Sequence, residues 1–259
     1  MDEEKEFFQQ KGLGQEGEGQ EFCRSPWFFR GLALVVILAL LGNFLALLFF
    51  YLKPERAQLF KMNRELSQQP EIQTYREAVV LVETPEGQGT GFNIDPRGLI
   101  ITNAHVVGRY NLCTLRSLSG KSWLAKKEKQ DSRLDLAFLR LIPPPGEKAP
   151  PLPALKLSSK NPGEIKAGER VYIIGNPLSC LDVAVEGKVL GWITLEDRKV
   201  PSLVVDMPIY RGHSGSPVLD SQGEVIGVIF ASAEVNLKGE KKAVGLAIPV
   251  LYFEDKLCF

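Results

Sequence analysis

The chain has 259 residues, with 31 basic and 31 acidic side chains, so its formal charge cancels. That balance, with no Lys/Arg stripe, excludes a nucleic-acid binder held by bulk charge, and 44% hydrophobic residues exclude disorder along most of the length. Four scattered cysteines without a CxxC pair, and only two histidines, argue against a disulfide scaffold or zinc site. Neither a metal nor a cofactor is expected.

Residues 1–30 are polar and rich in Gly, Gln and Glu, which reads as a flexible tail. Residues 31–52, GLALVVILALLGNFLALLFFYL, carry no charge. As a helix they would span roughly 33 Å, enough for a bilayer core of about 30 Å. Trp27, Phe28 and Phe29 precede the run and Phe49, Phe50 and Tyr51 close it, as interfacial aromatic belts do. The run is too long for a signal peptide and no A-x-A site follows, so an uncleaved transmembrane anchor is predicted. Basic residues are balanced on its two sides, which leaves the orientation open. Residues 53–74 carry mixed charge and are predicted to form a short helical stalk or linker.

From about Tyr75 the texture changes to short apolar runs bounded by turn residues. Ala78–Glu83, Gly98–Thr102, Leu136–Ile142, Arg170–Ile174, Leu203–Met207, Glu224–Ala231 and Ala243–Ile248 read as strands. No long period-3.6 stretch follows the stalk, so the soluble part is predicted to be all-β. The proline-rich stretch 143–153 cannot lie inside a sheet, because proline lacks the ladder N–H. It divides residues 75–259 into halves at about 75–142 and 154–259, read as two antiparallel β-barrels joined by a crossover.

Three short motifs carry the chemistry. Thr102-Asn103-Ala104-His105-Val106-Val107 puts a histidine at a strand end, where a group with an ordinary pKa of about 6.5 can act as general base. Arg133-Leu134-Asp135 opens an apolar strand with a carboxylate; Asp131 is a rival, but lacks the apolar run directly after it. Gly212-His213-Ser214-Gly215-Ser216-Pro217 places a serine between two glycines in a tight turn, which exposes a nucleophile and lets backbone N–H groups converge on one spot. The order His, Asp, Ser, at spacings of 30 and 79 residues, is that of chymotrypsin-type enzymes.

Residues 75–259 resemble the protease domain of the HtrA (Deg) family of trypsin-like serine proteases. Gly89-Thr90-Gly91-Phe92, Gly98–Val107, Asp135–Leu141, Val171–Pro177, Gly212–Pro217, Gly223–Val228 and Gly245–Pro249 carry the likeness. The resemblance implies two six-stranded barrels, with Ser214 as nucleophile, His105 as base and Asp135 orienting the imidazole. It further implies an oxyanion hole from the backbone N–H groups of Gly212 and Ser214. The primary substrate pocket would be formed by Pro208, Ile209 and Tyr210 on one wall and Ile229, Phe230 and Ala231 on the other. None of these is acidic, so small or medium aliphatic side chains are expected there rather than Lys or Arg.

The resemblance also implies protein or peptide substrates, misfolded or regulatory, a homotrimer, a role in protein quality control, and a catalytic domain outside the cytoplasm on the cell membrane. Two departures stand out. The family's usual serine motif is GNSGGP, whereas here His213 replaces Asn and Ser216 replaces Gly. About ten residues follow Ile248-Pro249, so the PDZ domain usual in the family is not expected. A catalytically silent relative, acting as a membrane-bound binding or scaffold module, is the alternative reading.

Overall fold

The computed structural model describes residues 26–51, 54–143, 146, 152–177, 182–196, 198, 200–207, 209–237 and 240–257. It divides into two units, 1–53 and 54–259. In the first, α1 (Pro26–Tyr51) is one uninterrupted helix. Its stretch Trp27–Leu47 is long and apolar enough to cross a membrane, and its side chains are exposed throughout.

The second unit starts with two helices, α2 (Pro54–Leu66) and α3 (Pro70–Glu77), each opening on proline, which suits a helix's first turn. Leu59 and Leu66 of α2 and Ile72 of α3 are buried. One face of this segment is therefore part of the domain core. The Met62 sulfur accepts the Glu186 N–H at 3.2 Å, and Asn63 Oδ1 accepts the Ala184 N–H at 2.9 Å.

The first barrel contains β1 (Val79–Thr84), β2 (Gly87–Asn93), β3 (Leu99–Thr102), β4 (Leu112–Ser117), β5 (Ser122–Asp131) and β6 (Leu136–Ile142). It closes in the order β1-β2-β3-β6-β5-β4. The second contains β7 (Arg170–Gly175), β8 (Val183–Ile193), β9 (Ser202–Asp206), β10 (Pro217–Leu219), β11 (Val225–Leu237) and β12 (Glu240–Pro249). It closes as β10-β11-β12-β9-β8-β7, and every strand pair in both barrels is antiparallel. The two six-stranded barrels are those expected from the sequence.

Val82, Ile100, Leu115 and Leu139 fill the first barrel, and Val171, Ile173, Val185, Val205 and Ile229 the second. A third cluster containing Ile72, Phe92, Phe138, Ile174, Leu219 and Phe253 joins them. Asn93 fastens the crossover: its Nδ2 donates to the carbonyls of Leu152 at 3.3 Å and Pro153 at 2.8 Å, and its own carbonyl accepts the Leu155 N–H at 2.8 Å. Residues 144, 145 and 147–151 of that crossover lie outside the described set.

Candidate active site

His105 sits on the one-turn helix α4 (Ala104–Val107), directly after β3, and Asp135 sits just before β6. β3 and β6 pair in register, Thr102 opposite Ala137, so the two strand ends meet on one rim. Four hydrogen bonds stitch the ends together. The Asp135 carbonyl accepts the Ala104 N–H at 3.1 Å and Asn103 Nδ2 at 3.0 Å, while its carboxylate accepts the His105 N–H at 2.9 Å and His105 Nδ1 at 2.7 Å. Asp135 adopts φ +59°, a left-handed conformation that asparagine and aspartate tolerate better than most residues. Because a carboxylate only accepts, Nδ1 is the donor, which in the neutral imidazole leaves the lone pair on Nε2. Half of the imidazole's surface is exposed. Asp131, by contrast, caps its own turn: Oδ1 accepts the N–H groups of Arg133 at 2.9 Å and Leu134 at 3.1 Å.

Ser214 lies in the turn before β10. The Gly215 N–H donates to the Ile229 carbonyl at 2.8 Å, and the Ile229 N–H donates to the Ser216 carbonyl at 2.9 Å, which seats the turn on β11. Thr90, on β2 of the other barrel, holds two carbonyls of the turn. Its N–H donates to Ser214 at 2.8 Å and its hydroxyl to Gly212 at 2.7 Å. The Ser216 N–H takes the His213 carbonyl at 2.9 Å, and the His213 N–H takes that of Tyr210 at 3.1 Å. The donors of residues 213, 215 and 216 are thus consumed within the protein. Those of Gly212 and Ser214 have no partner among the described residues, the condition an oxyanion hole requires.

Gly89 shows how closely the parts approach. A Cβ there would meet Val106 Cγ2 at 2.5 Å and the Ser214 carbonyl oxygen at 3.0 Å, so β2 touches both the histidine helix and the serine turn. No hydrogen bond joins the Ser214 hydroxyl to His105. Catalytic hydrogen bonds of unliganded enzymes are often long and tighten on substrate.

His213 is fully buried and points away from the nucleophile, with Nδ1 accepting the Tyr210 N–H at 3.0 Å. Burial pushes its pKa down to about 4. Its Nε2 and the Ser216 hydroxyl are buried without hydrogen-bond partners. The Ser216 hydroxyl and the His213 ring, through Cδ2, crowd Gly175, where any Cβ would overlap the Ser216 hydroxyl, so glycine is what admits a serine at 216.

The expected pocket residues divide. Ile209 and Tyr210 are half-buried and line a groove of about 840 Å³ whose other walls are α2, β8, Met207 and Ala243. The Ile229 side chain belongs to the core of the second barrel, Phe230 is the extra residue of a bulge in β11, and Ala231 follows it. Pro208 lies outside the described residues. A second hollow, of about 510 Å³, opens at Gly212 between Arg211 and the hairpin 83–88.

One contributor had no local signal in the sequence. Arg198 lies 3.7 Å above the Phe230 ring, donates to the Leu134 carbonyl at 3.3 Å, and brings a guanidinium within 3.8 Å of the Asp135 carboxylate.

The chymotrypsin-type pair of six-stranded barrels defines the class, and comparison with known proteins agrees. Residues 89–228 match the trypsin-like peptidase domain, and the chain belongs to that family. It is 32% identical over 171 residues to the serine protease HhoA of Synechocystis sp., covering 63% of this chain and 40% of that one. It is 31% identical over 180 residues to a periplasmic serine endoprotease DegP-like of Rickettsia prowazekii, covering 65% and 33%. The chain thus spans between a third and two-fifths of the length of these relatives. Among solved structures, the protease Rv3671c of M. tuberculosis, in its inactive form, superposes with a TM-score of 0.61 at 25% identity, over 74% of this chain and 93% of that one. An HtrA-type protease with a bound tripeptide gives the same TM-score at 22% identity, over 71% and 60%.

Proposed function

We propose that the chain is a membrane-anchored serine endopeptidase working through an acyl-enzyme. Ser214 Oγ attacks the peptide carbonyl while His105 Nε2 takes its proton. Asp135 keeps the proton on Nδ1 and stabilises the imidazolium, and the N–H groups of Gly212 and Ser214 bind the oxyanion. The imidazole then protonates the leaving amine, and water, activated by the same base, hydrolyses the ester. The carrying observation is the 2.7 Å bond from His105 Nδ1 to the Asp135 carboxylate, with a serine turn whose Gly212 and Ser214 N–H groups have no partner among the described residues.

The first hollow reaches Tyr210 and the second opens at Gly212, so a substrate strand crossing the oxyanion loop would enter one near Tyr210 and leave by the other near Glu83–Gln88. The first is walled partly by Leu59, Met62, Met207 and Ile209, which suits an aliphatic side chain, and two carboxylates on its wall are already paired, Asp206 with Lys242 and Glu186 with Arg170. The apolar helix α1 supports anchoring, and the periplasmic relative supports a catalytic domain outside the cytoplasm, acting on misfolded or regulatory proteins.

A fluorophosphonate probe on the full-length chain in detergent tests the chemistry. Labelling that vanishes in Ser214→Ala, together with casein digestion lost in the same variant, is the expected result. Folded wild type that neither labels nor cleaves would favour the second reading, a silent scaffold, which draws on the missing Ser214–His105 hydrogen bond.

A further inference from the structure

A continuous buried path runs from the helix pair α2–α3 to the oxyanion loop. Arg76, near the end of α3, is held on one side by α2 and the residue after it: Nη1 donates to Ser67 Oγ at 2.8 Å and Nη2 to Asn63 Oδ1 at 2.6 Å. On the other side Nη2 donates to the Asp182 carbonyl at 2.7 Å, and Nε lies 3.0 Å from Asp182 Oδ2. The Asp182 N–H donates to Asn176 Oδ1 at 2.9 Å, which clamps the two ends of segment 176–182 together. Asn176 fixes itself to the first barrel through Nδ2 to the Val80 carbonyl at 3.2 Å, and its N–H donates to Thr90 Oγ1 at 3.0 Å. Accepting that bond turns the Thr90 hydroxyl proton toward the Gly212 carbonyl, 2.7 Å away.

The last link bears on chemistry. The Gly212–His213 peptide is oriented by the Thr90 hydroxyl on its carbonyl and by Tyr210 on its N–H, whereas among the described residues no hydrogen bond orients the preceding Arg211–Gly212 peptide. That preceding unit carries an oxyanion donor, and Gly212, at φ +104°, is the swivel between the two. If the Gly212 carbonyl is released, the donor loses its aim. Gly212 also packs directly on the Asn176 carbonyl, so a shift of Asn176 displaces the loop sterically as well.

We propose that Arg76 is a positioning residue for the oxyanion loop. Through Asp182, Asn176 and Thr90 it holds the Gly212 carbonyl, so the helices that follow the apolar segment set the reactivity of Ser214. Asp182 supplies the sensitivity of the junction. It takes φ +61°, and neither carboxylate oxygen has an aligned hydrogen bond despite the close guanidinium. Burial pushes its carboxyl up to about 6, against the pull of Arg76. A junction so poorly satisfied keeps its geometry only while its neighbours impose it.

The proposal rests on the serine-protease reading, and its test separates the two. Arg76→Gln and Thr90→Val are compared with the full-length wild type for peptide hydrolysis, fluorophosphonate labelling rate and melting temperature. The expected result is a fall of about tenfold or more in kcat and labelling rate, with KM within about twofold, because an oxyanion contact acts in the transition state. The double variant Arg76→Gln/Asp182→Asn leaves no unpaired charge and carries the same test if Arg76→Gln does not fold. Its melting temperature should recover while kcat stays low. Unchanged kcat in folded Arg76 variants, or kcat recovering in step with melting temperature, overturns the positioning role. A wild type that never labels at Ser214 overturns the protease reading instead.

Discussion

His213 makes the stability of this domain acid-sensitive in a way that can be isolated. Its buried imidazole has a pKa pushed down to about 4, against about 6.5 in an unfolded chain. Between those values the unfolded chain binds a proton that the folded protein refuses. The contribution is therefore intact above about pH 6.5 and drains away as pH falls toward 4. At about 1.36 kcal/mol per unit of pKa difference, the loss is about 2 kcal/mol between pH 7 and pH 5 and about 3 kcal/mol by pH 4. Asp182 acts in the opposite sense over the same range. Its raised carboxyl, at about 6 beside Arg76, contributes most below about pH 4 and loses that contribution as pH rises through 6. A pH scan of the wild type alone would show the two partly cancelling. The informative quantity is the difference between wild type and His213→Asn, in which an amide oxygen can still accept the Tyr210 N–H but cannot titrate. Urea unfolding of the full chain in detergent at pH 7 and pH 5 should show that difference moving by about 2 kcal/mol in favour of the variant at the lower pH. For a domain of this size that equals roughly 4–8 °C in melting temperature. A wild-type-minus-variant difference that stays constant across the range would refute the argument.

Gly215→Ala should be strongly destabilising: φ is +86°, a Cβ would overlap the Thr90 carbonyl oxygen, and it would lie 2.6 Å from Thr102 Oγ1. A loss of about 3 kcal/mol or more is expected in urea unfolding, and a melting temperature close to wild type would contradict the described turn. Asp135→Asn should leave the fold intact, because asparagine also accepts a positive φ. It presents an amide where His105 needs an acceptor, and kcat should fall by about 10³–10⁴-fold. Near-normal kcat would remove Asp135 from the mechanism.

The barrels were legible where strands alternate or run apolar, as in β1, β6 and β7. They were illegible where other demands shaped the strand. β2 is GQGTGFN, poor in strand formers, because Gly89 and Gly91 must let Val106, Ile100 and Val82 come close. β5, SWLAKKEKQD, lies largely in solvent, so its polar residues hide the pattern. The helices after the apolar segment were read as a stalk from their charge, yet Leu59, Met62 and Leu66 recur at helical spacing and mark the face that docks. His105, Asp135 and Ser214 could be singled out because each sits in a short motif with its own local logic, and the structure brings the first two into contact. Arg76 and Asp182 could not be, since 106 residues separate them and neither is remarkable beside its neighbours in sequence.

The site is a property of the interface more than of either barrel. The first barrel supplies His105 and Asp135, and the second supplies Ser214 and both unused donors. Yet the second barrel does not hold its own oxyanion loop in shape: the carbonyls of Gly212 and Ser214 are fixed by Thr90 of the first. Thr90 in turn is bound from both sides, its hydroxyl accepting the Asn176 N–H from the second barrel and its carbonyl accepting Thr102 Oγ1 at 2.6 Å from the first. Separating the barrels would therefore part Ser214 from His105 and release the carbonyls of Gly212 and Ser214 in one event, and on the proposed mechanism that removes both the base and the aim of the oxyanion donors. Any contact that tightens the docking, including the α2–α3 pair on the second barrel, should act on both together.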